Sequence, residues 1–246
     1  MKSTIIGDDM QALILNLTEG EHVLTEAGAM MYMKGGIKID AQMTGGILGG
    51  IKRALTKESL FLVTFDATSN DAELGLAAPY PGHIKSFKLS NSNLICQRDS
   101  FLCAYGDIQT DVEFTKKLGF GFFGGEGFIL QKLSGTGETF IHAGGNFVEK
   151  TLTADETIDI DTGCLVAMDP TVEYDIKSVG NIKTSLFAGE GLFVAHLKGP
   201  GTVLLQTLPF SRMAEKIVSS VATTQGESRG AAGIGGSIFK SIVSGT

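Results

Sequence analysis

One glycine-bracketed run occurs twice in this chain, and that repetition limits what it can fold into. Phe123-Gly-Gly-Glu-Gly-Phe-Ile-Leu-Gln-Lys-Leu-Ser-Gly-Thr-Gly137 returns 64 residues later as Phe187-Ala-Gly-Glu-Gly-Leu-Phe-Val-Ala-His-Leu-Lys-Gly-Pro-Gly201. Between 123–143 and 187–207, seven of 21 positions are identical, among them Glu126/Glu190 and Leu133/Leu197. A second stretch obeys the same offset, since Ser100-Phe-Leu-Cys-Ala104 precedes Cys164-Leu-Val-Ala-Met168 by 64 residues. Gly28–Met33 resembles Gly163–Met168 at an offset of 135. Glu58-Ser-Leu-Phe-Leu-Val-Thr-Phe65 is a fainter third version of the central run. A period this long exceeds that of short solenoid repeats, so a closed pseudo-threefold bundle is expected rather than an open array.

The expected fold class is therefore all-β: three tandem β-sandwich-like repeats and a short C-terminal helix. The expected boundaries are 1–89, enlarged by a Gly-rich insertion at 44–57, then 90–147 and 148–210, then a helix and Gly-rich tail over 211–246. Ser211 is the expected N-cap of the helix, which spans Ser211–Val221. Gly28–Met33 reads as a buried strand, and Pro79-Tyr-Pro-Gly82 as a turn, because proline fixes φ and glycine permits the reversal.

Strand parity predicts that the units pack on one another. One side carries Phe61/Val63/Phe65, Ile129/Gln131/Leu133 and Phe193/Ala195/Leu197; the other carries Leu60/Leu62/Thr64, Phe128/Leu130/Lys132 and Leu192/Val194/His196. Alternate residues face opposite sides, so these strands are apolar on both faces until Thr64, Lys132 and His196. One face fills a unit's own core and the other meets a neighbour.

A formal charge of −7 argues against a nucleic-acid surface, because phosphate contacts require clustered Lys and Arg. Cys96, Cys103 and Cys164 are odd in number and lack metal-ligand spacing, so they read as reduced, mostly buried thiols. The N-terminal residues show no apolar core of signal-peptide length, and no apolar run reaches transmembrane length. A cytoplasmic location, with a possible seat at the periphery of a membrane, is the expectation.

No catalytic, cofactor-binding or metal-binding residue set emerges. Gly119-Phe-Gly-Phe-Phe-Gly124 matches G-x-G-x-x-G, but a β run follows it where a dinucleotide site needs a helix. His22, His83, His142 and His196 are scattered and read as separate surface or satisfied histidines. Glu58, Glu126 and Glu190 hold equivalent places in the repeat. Each either accepts backbone N–H bonds within its own Gly-rich turn, or the three converge as an axial acidic cluster for a cation or basic partner.

The pattern at Phe187–Thr207, its degenerate copy at 123–143, Gly28–Met33 and Pro81-Gly-His-Ile84 together resemble the altered-inheritance-of-mitochondria protein 24 family. The resemblance spans nearly all of residues 10–210. It implies three tandem units similar to the small β-sandwich of the tryptophan RNA-binding attenuation protein, a variant of the double-stranded β-helix. Mitochondrial relatives are linked to inner-membrane organisation and respiratory-complex assembly. No catalytic residues follow from it, and RNA binding does not transfer with a fold.

The favoured expectation is a non-enzymatic, self-associating assembly or interaction scaffold. Its candidate contact surface for a protein partner or a membrane is Ile47, Leu48 and Ile51 with Ile234, Ile238 and Phe239. The alternative is a small-ligand-binding module using clefts between the β units. A hydrolase or metal enzyme would require convergence in space that linear order conceals.

Overall fold

The structure, a computed structural model, describes residues 1–40, 62–116, 128–178 and 193–224. Residues Met1–Pro209 form one compact unit, and a second begins at Phe210. Sixteen strands lie among the described residues of the first unit. They run β1 (Lys2–Ile6), β2 (Ala12–Leu17), β3 (His22–Glu26), β4 (Met30–Lys34), β5 (Ile37–Asp40), β6 (Leu62–Ala67), β7 (Ala72–Ala77) and β8 (Gly82–Gln97). Then come β9 (Phe101–Lys116), β10 (Phe128–Gly144), β11 (Phe147–Leu152), β12 (Thr157–Asp161), β13 (Leu165–Met168), β14 (Glu173–Ser178), β15 (Phe193–Lys198) and β16 (Gly201–Gln206). Short 3-10 turns at Arg98–Ser100 and Thr162–Cys164 separate β8 from β9 and β12 from β13.

The strands form a nine-stranded sheet, β11-β16-β13-β8-β10-β9-β3-β6-β5, a four-stranded sheet, β1-β2-β7-β4, and a three-stranded sheet, β12-β15-β14. The large sheet exists because β8, β9 and β10 are long: 16, 16 and 17 residues. One half of β8 lies beside β13, and one half of β9 lies beside β3. Opposite Gly135 and Thr136 the pairing shifts by one residue, leaving Asn91 of β8 (φ +52) as a bulge. Gly135 takes φ +127 there, and a Cβ at Gly137 would fall 2.1 Å from the Tyr105 carbonyl oxygen, so both positions require glycine.

The pairing registers echo one another. Leu133 lies opposite Leu94 on one side and Thr110 on the other. Leu197 lies between Ile158 and Tyr174, each partner 64 residues further on. Phe65 lies between Val23 and Ile39. The pairings of β4, β9 and β13 each skip one residue, at Met31, Leu102 and Val166.

β10 is buried on both faces, as parity predicts, and in β15 the Ala195/Leu197 face is buried while Val194 and His196 are half-buried. Phe128, Ile129, Leu130 and Leu133 are all buried, as are Leu62, Phe65, Ala195 and Leu197. The buried apolar residues form three clusters. The first gathers Leu13, Leu15, Leu74 and Phe65 with Phe140. The second gathers Leu94, Phe101, Leu133 and Ile141 with Val166 and Leu204. The third gathers Phe128, Leu130, Leu165, Leu197 and Val203. Cys96 and Cys103 are buried and Cys164 half-buried, and all three are free thiols. Burial pushes the Cys96 thiol up to about 12, so it stays protonated and inert.

Several expectations need correction. Gly28–Met33 is not a buried strand: Met30, Met31 and Met33 of β4 are 41%, 50% and 40% exposed. Its counterparts Phe101–Ala104 and Leu165–Met168 are buried because β3 and β8 lie alongside them, and among the described residues β4 pairs with β7 alone. The first unit also gains β1, which pairs antiparallel with β2. In the second unit, α1 (Phe210–Thr224) starts one residue before the expected cap, so Ser211 lies inside its first turn. Pro209, with fixed φ and no N–H, directly precedes the helix.

Leu133 and Leu197 sit in different clusters at equivalent registers. Truncation of either to alanine leaves a cavity in a fully buried site, and each variant should lose about 2–5 kcal/mol in urea unfolding. Lys132→Ala, at the half-buried position next to Leu133 in β10, should change stability by about 0.5 kcal/mol or less.

Candidate functional site

Glu58, Glu126 and Glu190 lie outside the described residues, as do Ile47, Leu48, Ile51, Ile234, Ile238 and Phe239. A convergence of ionisable groups lies elsewhere among the described residues. It forms where β3 meets the turn at Arg98–Ser100, the Pro79–Gly82 turn and the end of β10.

Each segment supplies a side chain for a local reason. The proline-flanked turn presents Tyr80, whose hydroxyl donates to the Asp99 carbonyl oxygen at 3.2 Å. The 3-10 turn places Arg98 and Asp99 in succession. The Arg98 guanidinium donates to Asp99 Oδ1 through Nε at 3.1 Å and through a terminal nitrogen at 3.0 Å. Gln97 Nε2 reaches Asp99 Oδ2 at 3.3 Å. β3 ends on Glu26, and β10 supplies His142, whose ring meets Tyr80 edge-on with centroids 4.8 Å apart.

His142 is 2% exposed, and its Nδ1 has no hydrogen-bond partner among the described residues. The Ser100 hydroxyl, buried in the same 3-10 turn as Asp99, also lacks one. Gly82 makes room for the ring, since a Cβ there would approach His142 Nε2 to 2.7 Å and the Ala143 carbonyl oxygen to 1.9 Å. The neighbouring His83 pairs its Nδ1 with the Gly145 carbonyl oxygen at 2.6 Å. Sixty-four residues after His142, Gln206 solves the same burial differently. Its Oε1 accepts from Gly144 N–H and its Nε2 donates to the Gly163 carbonyl, both at 2.8 Å.

Burial sets the protonation states. It pushes the Glu26 carboxyl up to about 8; the Asp99 carboxylate adds to that rise and Arg98 opposes it. It brings His142 down to about 4, with His83 contributing. It also raises the Tyr80 phenol, with Asp99 and Glu26 adding to the effect. At neutral pH the cluster therefore holds a protonated Glu26, a neutral His142, an intact phenol and one Arg98–Asp99 ion pair. Such a site can donate and accept hydrogen bonds to a polar neutral molecule.

The expectation of four separate surface or satisfied histidines is corrected for His142, which is buried with an unmet ring nitrogen. His83 and His142 also come together in space. His22 is exposed, and His196 Nδ1 pairs with Asp159 Oδ1 at 2.6 Å. Among the described residues no group of three or more His, Cys, Asp or Glu could hold a metal ion. None of the described helices is long and apolar enough to cross a membrane.

Residues 3–208 match the protein family described as mitochondrial biogenesis AIM24. The chain belongs to the AIM24 family. Among solved structures it is similar to an X-ray crystal structure of a Streptococcus pyogenes protein from a structural-genomics consortium. That likeness has a TM-score of 0.74 at 23% identity, covering 89% of this chain and 99% of the other. At this identity it shows the shared fold alone. The comparison with curated proteins returns no match.

The two shifted groups act on stability with opposite sign. Glu26 has a folded-state pKa above its ordinary 4.5, so its contribution is full below pH 4.5 and falls away as pH rises towards 8. His142 has a folded-state pKa below its ordinary 6.5, so its contribution is present above pH 6.5 and falls away as pH drops through 4. Each unit of separation corresponds to about 1.4 kcal/mol at most. Urea midpoints should show Glu26→Gln flattening the decline as pH rises from about 4.5 to 8, and His142→Gln flattening the decline as pH falls from about 6.5 to 4.

Proposed function

We propose that this AIM24-family chain is a non-enzymatic assembly scaffold made of three tandem copies of one β unit. The observation that carries the reading is the register of its seams. Thr25 pairs with Cys103 and Leu24 with Ala104 where the first repeat, 1–89, meets the second, 90–147. Cys96 pairs with Ala167 and Ile95 with Met168 where the second meets the third. By the repeat, Thr25 and Cys96 are equivalent, as are Cys103 and Ala167. One edge-to-edge contact is thus used twice, which is how modular scaffolds extend. Self-association and a protein or membrane partner belong to this reading, as does a peripheral membrane location.

Crosslinking followed by pull-down of the full chain from its own cells tests it. Recovery of crosslinked copies or of a reproducible set of partner proteins is expected. Recovery of uncrosslinked monomer alone would overturn the scaffold.

A second reading, a small-ligand module, is favoured by one observation: the unmet Nδ1 of the buried His142 where its ring meets Tyr80. Native mass spectrometry of protein purified from its own host should then show a retained molecule that His142→Gln loses. An unliganded mass in both samples would count against it.

A further inference from the structure

The two occupied seams imply a third that the described chain leaves open. In each occupied seam a donor edge, β3 or the second half of β8, pairs antiparallel with an acceptor edge, β9 or β13. The remaining donor edge is β12 and the remaining acceptor edge is β4. Among the described residues β12 pairs with β15 alone and β4 with β7 alone, so each ends its sheet.

We propose that β4 of one copy of this chain pairs antiparallel with β12 of a second copy, joining chains head to tail. This deepens the assembly reading above and rests on it. Transfer of the seam register through the repeat places Tyr32 opposite Ile160, Met33 opposite Asp159 and Lys34 opposite Ile158. The occupant is a second copy because the contact would continue the two existing seams in the same register. An exposed strand edge offers unpaired backbone groups to such a partner.

The side chains of the two edges suit this use. Met30, Met31 and Met33 leave an apolar, adaptable surface on β4 with no charge before Lys34. On β12, exposed Thr157 and Asp159 alternate with Ile158 and Ile160, and Asp159 is held by His196 at 2.6 Å. The pairing is heterologous, because each copy offers one β4 and one β12. It therefore builds a ring when the rotation between copies closes and a filament when it does not.

The predicted opposition of Met33 and Asp159 permits a test by sign. Met33→Glu places like charges directly opposite, and Met33→Lys places opposite charges there. Because Met33 is exposed, neither variant should unfold the chain, which circular dichroism and thermal melting check. Sedimentation velocity of the full chain at low salt should show wild type self-associating with concentration. Met33→Glu should weaken that association by about two- to five-fold or more, and Met33→Lys should strengthen it by about two- to five-fold. Added salt should shrink the difference.

A contact that is merely apolar would weaken equally in both variants, and that result overturns the proposed register. Association that ignores both substitutions overturns this seam while leaving the scaffold reading in place. A wild-type chain that stays monomeric, yet recovers partners in the pull-down, overturns head-to-tail pairing alone. A monomer that recovers nothing overturns both.

Discussion

Backbone hydrogen bonding across the two seams is the constraint on which the rest of the unit ending at Pro209 depends. The central strands β6, β10 and β15 are apolar on both faces, so a sheet built around one of them alone would leave one face in water. The seams set β6 and β10 within one nine-stranded sheet, and β10 is buried on both faces. The core clusters bear this out, because none is confined to one segment of the chain. Phe140 of β10 packs with Leu13 and Leu74, while Val166 and Leu204 pack with Leu94 and Leu133. Ile95 and Phe128 pack with Leu165 and Leu197. Cavities introduced in one cluster are therefore felt by strands of the next.

The same burial that stabilises the seams makes polar groups within them costly. A neutral group without a hydrogen-bond partner, such as His142 Nδ1, costs about 1–3 kcal/mol when buried. Gln206 shows that an equivalent position can be fully satisfied, through Gly144 and Gly163. The chain thus holds two solutions to one packing problem, one quiet and one with unmet capacity. Glu26 adds to the contrast, since a carboxyl kept protonated near neutrality is favoured by burial and by the nearby Asp99. Perturbed groups of this kind gather at functional sites more often than elsewhere.

Much of the architecture was legible because glycine spacing and strand parity record backbone geometry directly. Gly135 and Gly137 sit where a bulge and a close strand approach forbid a side chain, and their recurrence at Gly199 and Gly201 carries the repeat. Parity on 128–133 correctly gave a strand buried on both faces. The cluster around His142 was not legible, because Glu26, Tyr80, Asp99 and His142 come from four separate segments. One local hint existed: a histidine within the apolar run Phe140-Ile-His-Ala143. Gly28–Met33 misled for a different reason. Apolar composition reports what a strand could bury, and only topology reports whether a neighbour lies beside it. The acidic set Glu58, Glu126 and Glu190 falls outside the described residues, so its equivalence remains a property of the sequence.

Edge strands in soluble proteins are commonly defended by charge, by proline or by a bulge that twists the edge away. β4 has one such feature, the skipped residue at Met31, and that could be read as protection. The same skip occurs at Leu102 and Val166, however, within β9 and β13, whose outer edges are paired. The bulge therefore belongs to the build of the unit and does not prevent pairing at a seam. Without it, β4 is left with three exposed methionines, a half-buried Tyr32 and a single Lys34 at its end. Its composition is that of the interior seams and its exposure that of an edge. A partner strand would resolve that mismatch.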